Sequence, residues 1–201
     1  MASVIDWINF IVLVMSTVLM AHFYIKSVGP AALEKEIGES AYSKCKQYRI
    51  IASAFEAVTI VNYLVYYFHP LSIYFPQLLP WEYWVSVVVG FVILIPSLIL
   101  MLKGLRNAGK ESLEPKKEHT LYGGIYKTLR HPQAIGEAFI WLAISFFLNS
   151  PFLILYSFLW FPIFYVFCLA EERDLVIRYG QPYLEYRDRV GFLIPKRKRM
   201  D

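Results

Sequence analysis

The chain has 201 residues, of which 57% are hydrophobic and only 18% are charged, and its formal net charge is +4. Charged residues make up about 25% of an ordinary soluble domain, so this composition excludes that class. It predicts a single integral membrane domain that covers residues 1–201.

Five apolar runs predict an all-α, polytopic membrane fold with about five transmembrane helices. A helix needs about 20 residues to cross roughly 30 Å of hydrocarbon. The fourth run has only 15 residues. We therefore expect one of two arrangements for the C-terminal hairpin that the last two runs form. Either its fourth span also includes apolar residues of the turn, or the hairpin does not cross the whole bilayer. The runs are residues 7–24, 50–68, 84–102, 134–148 and 152–169.

The basic residues are sorted between alternate connections. All 20 Lys and Arg lie in residues 25–49, in residues 103–133 and after Leu169. Because short loops rich in Lys and Arg stay in the cytoplasm, this sorting predicts a multi-pass protein with its N-terminus outside and its C-terminus in the cytosol. Buried helices of a large soluble domain would not sort charges in this way. The first run has no basic residue before it, so we expect a lasting anchor and not a cleaved signal peptide.

The connections and the tail also carry predictions. Residues 30–49 fit either an interfacial helix or a solvated connector. The tail predicts amphipathic helices packed under the membrane domain and broken near Gly180 and Pro182. The final K-R-K-R run predicts a lipid-headgroup contact and no nucleic-acid partner. Cys45 and Cys168 lack a matching His spacing, so no metal site is predicted.

Two glutamates lie inside predicted spans. Glu56 is about two turns into the second run, and Glu137 is near the start of the fourth. An ionisable group in a membrane span is costly unless it is paired, and it commonly faces a polar cavity. Glu56 therefore predicts either a place in or beside an active site, or a protonated carboxyl bonded to a neighbouring helix.

Arg130, His131 and Pro132 stand at the predicted start of the fourth span. Pro favours the first helical turn, where free N–H groups and the helix dipole can hold an anion. A snorkelling anchor is the structural alternative for the basic residues. A tight outer turn would return Glu171 and Glu172 to the same membrane face. The resulting cluster suits a cytosolic ligand with both charge signs and a partner that enters sideways from the lipid.

Several motifs together resemble the isoprenylcysteine carboxyl methyltransferase and phospholipid methyltransferase group, over about residues 119–195. The resemblance implies an integral membrane enzyme that moves a methyl group from S-adenosylmethionine to a lipophilic acceptor, with a cofactor-binding part in residues 103–195. The motifs are H-T-L at 119–121, G-I-Y at 124–126, R-H-P at 130–132, Gly136, the pair Glu171-Glu172, and Y-G-x-x-Y-x-x-Y at 179–186 followed by Pro195.

The resemblance also implies roles for individual residues. Arg130 is expected to be catalytic, and Glu137 or Glu56 would act as the base for an amine acceptor. Two positions depart from the family pattern. Ala134 stands where the family often has Tyr, which would enlarge the pocket or shift an adenosine contact. Phe167 stands where the prenylcysteine enzymes have an Arg implicated in substrate binding, which weakens the case for a prenylcysteine carboxylate. The implied cofactor-binding residues are His119, Thr120, Leu121, Gly124, Tyr126, His131, Pro132, Gly136, Glu171 and Glu172.

Three functions compete at this point. The first is a methyltransferase whose acceptor is a prenylcysteine carboxylate, or a phospholipid amine or another N- or S-acceptor. The second is a membrane sterol or enone reductase of related topology that uses NADPH. The third is a membrane scaffold, for which His131 and Glu171 would be dispensable.

Overall fold

The computed structural model describes residues 3–71, 76–109 and 123–196. These residues are almost entirely helical, and their β pairing is a single bridge between Leu129 and Gly191. Four helical segments are long and apolar enough to cross a membrane, and a fifth apolar helix is shorter. The predicted all-α, polytopic membrane fold is confirmed.

The helices follow the predicted apolar runs closely and extend most of them. They are α1 (Val4–Ser27), α2 (Pro30–Ile37), α3 (Ser40–Phe68), α4 (Tyr83–Ala108), α5 (Pro132–Phe147), α6 (Pro151–Ser157), α7 (Trp160–Tyr179) and α8 (Gln181–Arg189), with a 3₁₀ turn at Gly124–Lys127. Helix α5 has 16 residues, or about 24 Å at 1.5 Å per residue, so it is short as expected.

Proline, glycine and asparagine explain where the last helices break. Pro162 has no N–H to continue the helix, and α6 accordingly gives way to α7 across Phe158 and Leu159. Asn149 adopts a positive φ of 51° in the turn between α5 and α6. Gly180, with φ of 61°, separates α7 from α8. The predicted break in the tail is therefore confirmed.

Contacts between side chains show that neighbouring long helices alternate in direction. In the α1–α3 pair, Ser16 meets Thr59 while Cys45 reaches the Lys26 carbonyl, which is an antiparallel arrangement. The α4–α5 and α5–α7 pairs are antiparallel as well. The end of α1, the start of α3, the end of α4, the start of α5 and the end of α7 therefore meet at one end of the bundle. We call this the basic end, because the Lys- and Arg-rich segments lie there.

Polar groups inside the bundle bond to one another. The Trp160 indole donates to the Tyr63 hydroxyl at 3.0 Å, and the Ser145 and Ser157 hydroxyls are 2.6 Å apart. The Trp141 and Trp160 rings stack with centroids 4.4 Å apart. Because lipid offers no hydrogen-bond partners, such internal pairs hold membrane helices together.

Helix α2 is fixed to the bundle by a distant carboxylate. The Asp174 Oδ1 of α7 accepts a hydrogen bond of 2.9 Å from the Ala32 backbone N–H, in the first turn of α2. A carboxylate at a helix N-terminus satisfies free N–H groups and matches the helix dipole. Residues 30–49, for which the sequence predicts either an interfacial helix or a solvated connector, form α2 and the first turns of α3, and α2 packs on α7 at the basic end.

Candidate functional site

A pocket opens at the basic end of the bundle. It holds about 1130 Å³ of empty space, counting its open mouth. Its wall combines aromatic rings with groups of both charge signs. The polar and ionisable lining residues are Tyr24, Arg49, Tyr126, Arg130, His131, Gln133, Glu137, Cys168, Glu171, Asp174, Arg178, Tyr179, Tyr183 and Tyr186.

Two basic and two acidic residues form a charged network on one wall. The Arg130 Nε lies 2.6 Å from the Glu172 Oε1, and the His131 Nε2 lies 3.1 Å from the same oxygen. The His131 Nδ1 lies 3.5 Å from the Glu171 Oε2. The side chains of Arg130, His131 and Glu172 are at most 10% exposed, whereas that of Glu171 is 39% exposed. Glu171 is therefore the member of this network that a ligand can reach.

The surroundings of His131 favour its charged form. Burial by itself lowers the pKa of His131, but hydrogen bonds with Cys168, Glu171 and Glu172 outweigh it and hold the pKa well above its usual value. Both ring nitrogens then donate, one to each carboxylate. The carboxylates of Glu171 and Glu172 lie against different ring nitrogens of His131, so they do not converge on one point. The described part of the chain contains no group of three or more His, Cys, Asp and Glu side chains that could hold a metal ion.

Arg130 also holds the C-terminal tail against the start of α5. Its Nη1 donates to the carbonyls of Arg187 and Val190, each at 2.7 Å. Its backbone N–H donates to the Gly191 carbonyl at 2.9 Å. The Phe192 ring then packs edge-on against His131, with centroids 5.0 Å apart. The guanidinium thus closes one side of the pocket by fixing the tail.

Tyrosine side chains form a second part of the wall. The Tyr186 hydroxyl donates to the Tyr126 carbonyl at 2.7 Å, and the Gln133 amide donates to the Tyr126 hydroxyl at 2.8 Å. Burial raises the pKa of Tyr186 to about 12, so it is a neutral donor at physiological pH. These bonds fix the position of the Tyr126 ring at the edge of the pocket.

Glu137 and Glu56 face each other across α5 and α3. Glu137 lines the pocket, and its carboxyl is close enough to that of Glu56 for a side-chain hydrogen bond. A hydrogen bond between two carboxyl groups requires one of them to be protonated. The pair therefore combines both predicted alternatives: each carboxyl is bonded to a neighbouring helix, and one of them borders the pocket.

The three remaining described residues predicted to bind cofactor lie outside the pocket lining. Gly124 has φ of 60°, and a Cβ there would collide with the Asn107 side chain. Pro132 is fully buried at the start of α5. A Cβ at Gly136 would lie 2.6 Å from the Ser97 carbonyl oxygen, so this glycine permits close packing of α5 on α4.

His119, Thr120 and Leu121 lie outside the described residues. The described residues that come together at the pocket are Tyr126, Arg130, His131, Glu137 and Glu171, with Glu172 and Glu56 directly behind them.

The sequence reasoning missed pocket residues of two kinds. Tyr183 and Tyr186 belong to a tyrosine motif that had been noted only as part of the family resemblance. Tyr24 and Arg49, from α1 and α3, belong to no motif at all. The Tyr24 ring stacks on Phe167, with centroids 4.3 Å apart, at the position where the prenylcysteine enzymes have an Arg.

These features define the chain as a polytopic helical membrane protein with a polar pocket of mixed charge at one end of its bundle. The family model for phospholipid methyltransferase matches residues 85–182. This match confirms the resemblance that the motifs indicated, over residues 85–182. The match supports a membrane methyltransferase. No curated protein and no solved structure matches the chain.

Proposed function

We propose that this protein transfers a methyl group from S-adenosylmethionine to a lipophilic acceptor at the cytosolic face of a membrane. The observation that carries the proposal is the pocket in which His131 and Glu171, from two separate family motifs, lie 3.5 Å apart. Both belong to the stretch that matches the methyltransferase family. The described parts of the Lys- and Arg-rich segments lie at this end of the bundle, which supports a cytosolic location for the basic end.

The residues fit a donor with a nucleoside, an ammonium group and a carboxylate. Glu171 offers a reachable carboxylate to hydroxyl or ammonium donors, and the Tyr126 ring can face a sulfonium through cation–π attraction. His131 and Arg130 hold the two glutamates in place as positioning residues. Arg130, which the sequence predicts to be catalytic, acts in this proposal as a positioning residue through Glu172 and the tail. His119, Thr120 and Leu121 remain predicted cofactor residues.

Methyl transfer mainly requires the protein to align the acceptor atom with the methyl group of the donor. When bound, S-adenosylmethionine supplies an electrophilic methyl group on a sulfonium. The chain aligns an acceptor atom with that methyl group and excludes water, using the tail fixed by Arg130 and the packed aromatic wall. A carboxylate acceptor is already nucleophilic and needs no base.

An amine acceptor must first lose a proton, and the Glu137–Glu56 pair is suited to take it. Two carboxyl groups that share one proton can accept one more. The proton of an acceptor ammonium group would move to this pair, and the freed nitrogen lone pair would form the new N–C bond while the methyl–sulfur bond of the bound donor breaks and its electron pair stays on the sulfur, which leaves as a thioether. This pair favours a phospholipid amine over a prenylcysteine carboxylate, in line with Phe167 at the position of the missing Arg.

The proposal is tested by binding labelled S-adenosylmethionine to the purified full chain. We expect saturable binding that Glu171→Ala weakens by about 10- to 100-fold, because a charged hydrogen-bond partner is lost. Glu185→Ala, which removes an exposed carboxylate of α8 outside the pocket, is the matched control and should bind like the wild type. Absence of saturable binding, or equal effects of the two variants, would refute the cofactor assignment.

The acceptor is tested by methyl transfer in mixed micelles that contain either a phosphatidylethanolamine or a prenylated cysteine. Glu137→Gln should slow transfer to the amine at least tenfold while leaving cofactor affinity unchanged. A preference of the wild type for the cysteine carboxylate, unaffected by Glu137→Gln, would reverse the choice of acceptor.

A further inference from the structure

The C-terminal tail bends back on itself after α8. The bend, residues 190–196, is tight, because a Cβ at Gly191 would collide with the Ile194 carbonyl oxygen. Lys196 closes the bend: its Nζ donates to two backbone carbonyls in the last turn of α8, at 3.3 and 2.5 Å. Both ends of the bend are thus held against the protein. We call residues 192–194, which read F-L-I between these ends, the apolar tip.

One side of the apolar tip packs on the membrane-spanning part of the protein. The Phe192 ring lies edge-on against the Tyr165 ring, with centroids 5.4 Å apart, in addition to its contact with His131. Tyr165 and its neighbour Val166 are 47% and 46% exposed, and neither lines the pocket. Both lie in a helical segment that is long and apolar enough to cross a membrane. The exposed side chains of such a segment face lipid, so the apolar tip lies against a lipid-facing surface of α7.

Most of the remaining surface of the apolar tip is exposed. Ile194 is 79% exposed, a larger fraction than for any other large hydrophobic side chain in the described part of the chain. Phe192 and Leu193 are partly exposed. Exposure of these side chains to water is unfavourable, whereas the lipid beside α7 offers them an apolar environment. The bend therefore presents its apolar residues where the membrane is within reach.

Basic residues stand on both sides of the apolar tip. Residues 187–196 contain three of them, Arg187, Arg189 and Lys196, and one acidic residue, Asp188. Three more basic residues follow in the sequence at positions 197–199, which lie outside the described residues. An apolar group flanked by Lys and Arg is typical of segments that lie in a membrane interface, where the cations meet anionic headgroups.

We propose that the apolar tip inserts into the interfacial layer of the membrane that holds the helix bundle, and that the flanking basic residues bind anionic phospholipid headgroups. The same bend supplies the Val190 and Gly191 carbonyls that Arg130 binds. Lipid contact therefore holds the tail in the position in which it closes one side of the pocket. The proposal does not depend on which ligand the pocket binds.

The first test measures where a label at position 194 lies. The full chain with Ile194→Cys is labelled with a thiol-reactive fluorophore and reconstituted in nanodiscs of phosphatidylcholine and phosphatidylglycerol. Val92→Cys, at an exposed position of α4, is the lipid reference, and Glu185→Cys, at an exposed position of α8, is the aqueous reference. The wild type, treated in the same way, gives the background from the buried Cys45 and Cys168.

We expect the label at position 194 to behave like the lipid reference. Compared with the aqueous reference, nitroxide-labelled lipid should quench it about threefold more and iodide in the buffer about threefold less. Iodide quenching equal to that of the aqueous reference would place the apolar tip in water and overturn the proposal. Protection from both quenchers would show that protein covers the tip, and it would overturn the proposal as well.

The second test uses unlabelled protein, because an apolar label can enter lipid by itself. The Ile194 side chain makes few contacts within the protein, since it is 79% exposed, so the effect of Ile194→Asp reports contact with lipid. In the same nanodiscs, trypsin should cleave the tail of this variant about fivefold faster than the tails of the wild type and of Ile194→Leu. Unfolding temperatures show that the bundle of each variant is intact.

The lipid composition tests the headgroup contact. Nanodiscs without phosphatidylglycerol should speed cleavage of the wild-type tail, because the basic residues lose their anionic partners. Equal cleavage rates for the wild type, Ile194→Asp and Ile194→Leu would overturn insertion of the apolar tip. A wild-type rate that does not change with phosphatidylglycerol would overturn the binding of anionic headgroups.

Discussion

The two ends of the helix bundle use polar residues in opposite ways. At the basic end, ionised groups surround an open pocket, and Glu171 is left partly exposed to it. At the far end, polar groups satisfy each other: the Trp81 indole donates to the Ser86 hydroxyl at 2.8 Å, and that hydroxyl donates to the Asn149 side-chain oxygen at 2.5 Å. These contacts at the far end are therefore neutral hydrogen bonds, whereas the basic end keeps charge available for a ligand.

This contrast shows at which end the bundle holds buried ionised groups, whose desolvation is unfavourable. Buried ions are tolerated when partners of opposite charge and hydrogen bonds offset their desolvation. Arg130, His131, Glu171 and Glu172 meet that condition as a set, so removal of a single member leaves the others uncompensated. A neutral bond at the far end carries no such risk, because its loss strands no ion.

Glu172→Ala should have the largest effect on stability. Arg130 and His131 would lose a common partner while remaining buried, and breaking a buried ion pair from one side costs about 3–5 kcal/mol. Thermal or denaturant unfolding in detergent micelles measures this loss. Glu172→Gln, which keeps the shape and a hydrogen-bond acceptor, should lose less. If Glu172→Ala is as stable as the wild type, the charged network does not hold this end together.

The pH dependence of stability should arise at the same end. The pKa of folded His131 lies well above the unfolded value of about 6.5. Its contribution is therefore complete below about pH 6.5 and is lost as the pH rises through the folded pKa. The stability advantage of the wild type over His131→Gln, on the order of 1–3 kcal/mol, should shrink with rising pH.

Unfolding measured from about pH 6 upward tests this sign. His22→Gln, at an exposed position of α1 outside the pocket, is the control and should not change the pH profile. A difference between wild type and His131→Gln that stays constant or widens with rising pH would contradict an imidazolium at this site.

A pair of glycine variants compares packing on the two halves of the α4–α5 contact. Alanine at Gly136 would place its Cβ 2.6 Å from the Ser97 carbonyl oxygen and 2.8 Å from the Met101 backbone nitrogen. Backbone atoms cannot move aside cheaply, so Gly136→Ala should cost about 1–3 kcal/mol. Alanine at Gly90 meets only the Phe147 ring, which can rotate away, so Gly90→Ala should cost less than about 1 kcal/mol.

The same variants test the predicted role of Gly136 in cofactor binding. A purely packing role predicts that Gly136→Ala lowers unfolding temperature and leaves the affinity of folded protein for S-adenosylmethionine unchanged. A large loss of affinity at unchanged stability would instead place the ligand against this glycine.

Much of the fold could be predicted because its signals are local. Runs of apolar residues and the sorting of Lys and Arg depend only on the lipid and on its two surfaces, so spans, turns and alternating helix direction follow from the sequence. The approach of Arg130 and His131 to Glu171 and Glu172 follows as well, since a short hairpin returns both segments to one end. The tail break at Gly180 has an equally local cause in its positive φ.

The sequence by itself therefore determined two features of this protein: the set of helices, and the end of the bundle at which each polar segment lies. Only the tertiary structure decided how each helix is rotated about its axis. A membrane helix is apolar on every side, so no polar face marks which side meets its neighbour. For that reason the packing alone reveals that Glu56 meets Glu137, that Gly136 serves the α4–α5 contact, and that Tyr24 and Arg49 border the pocket.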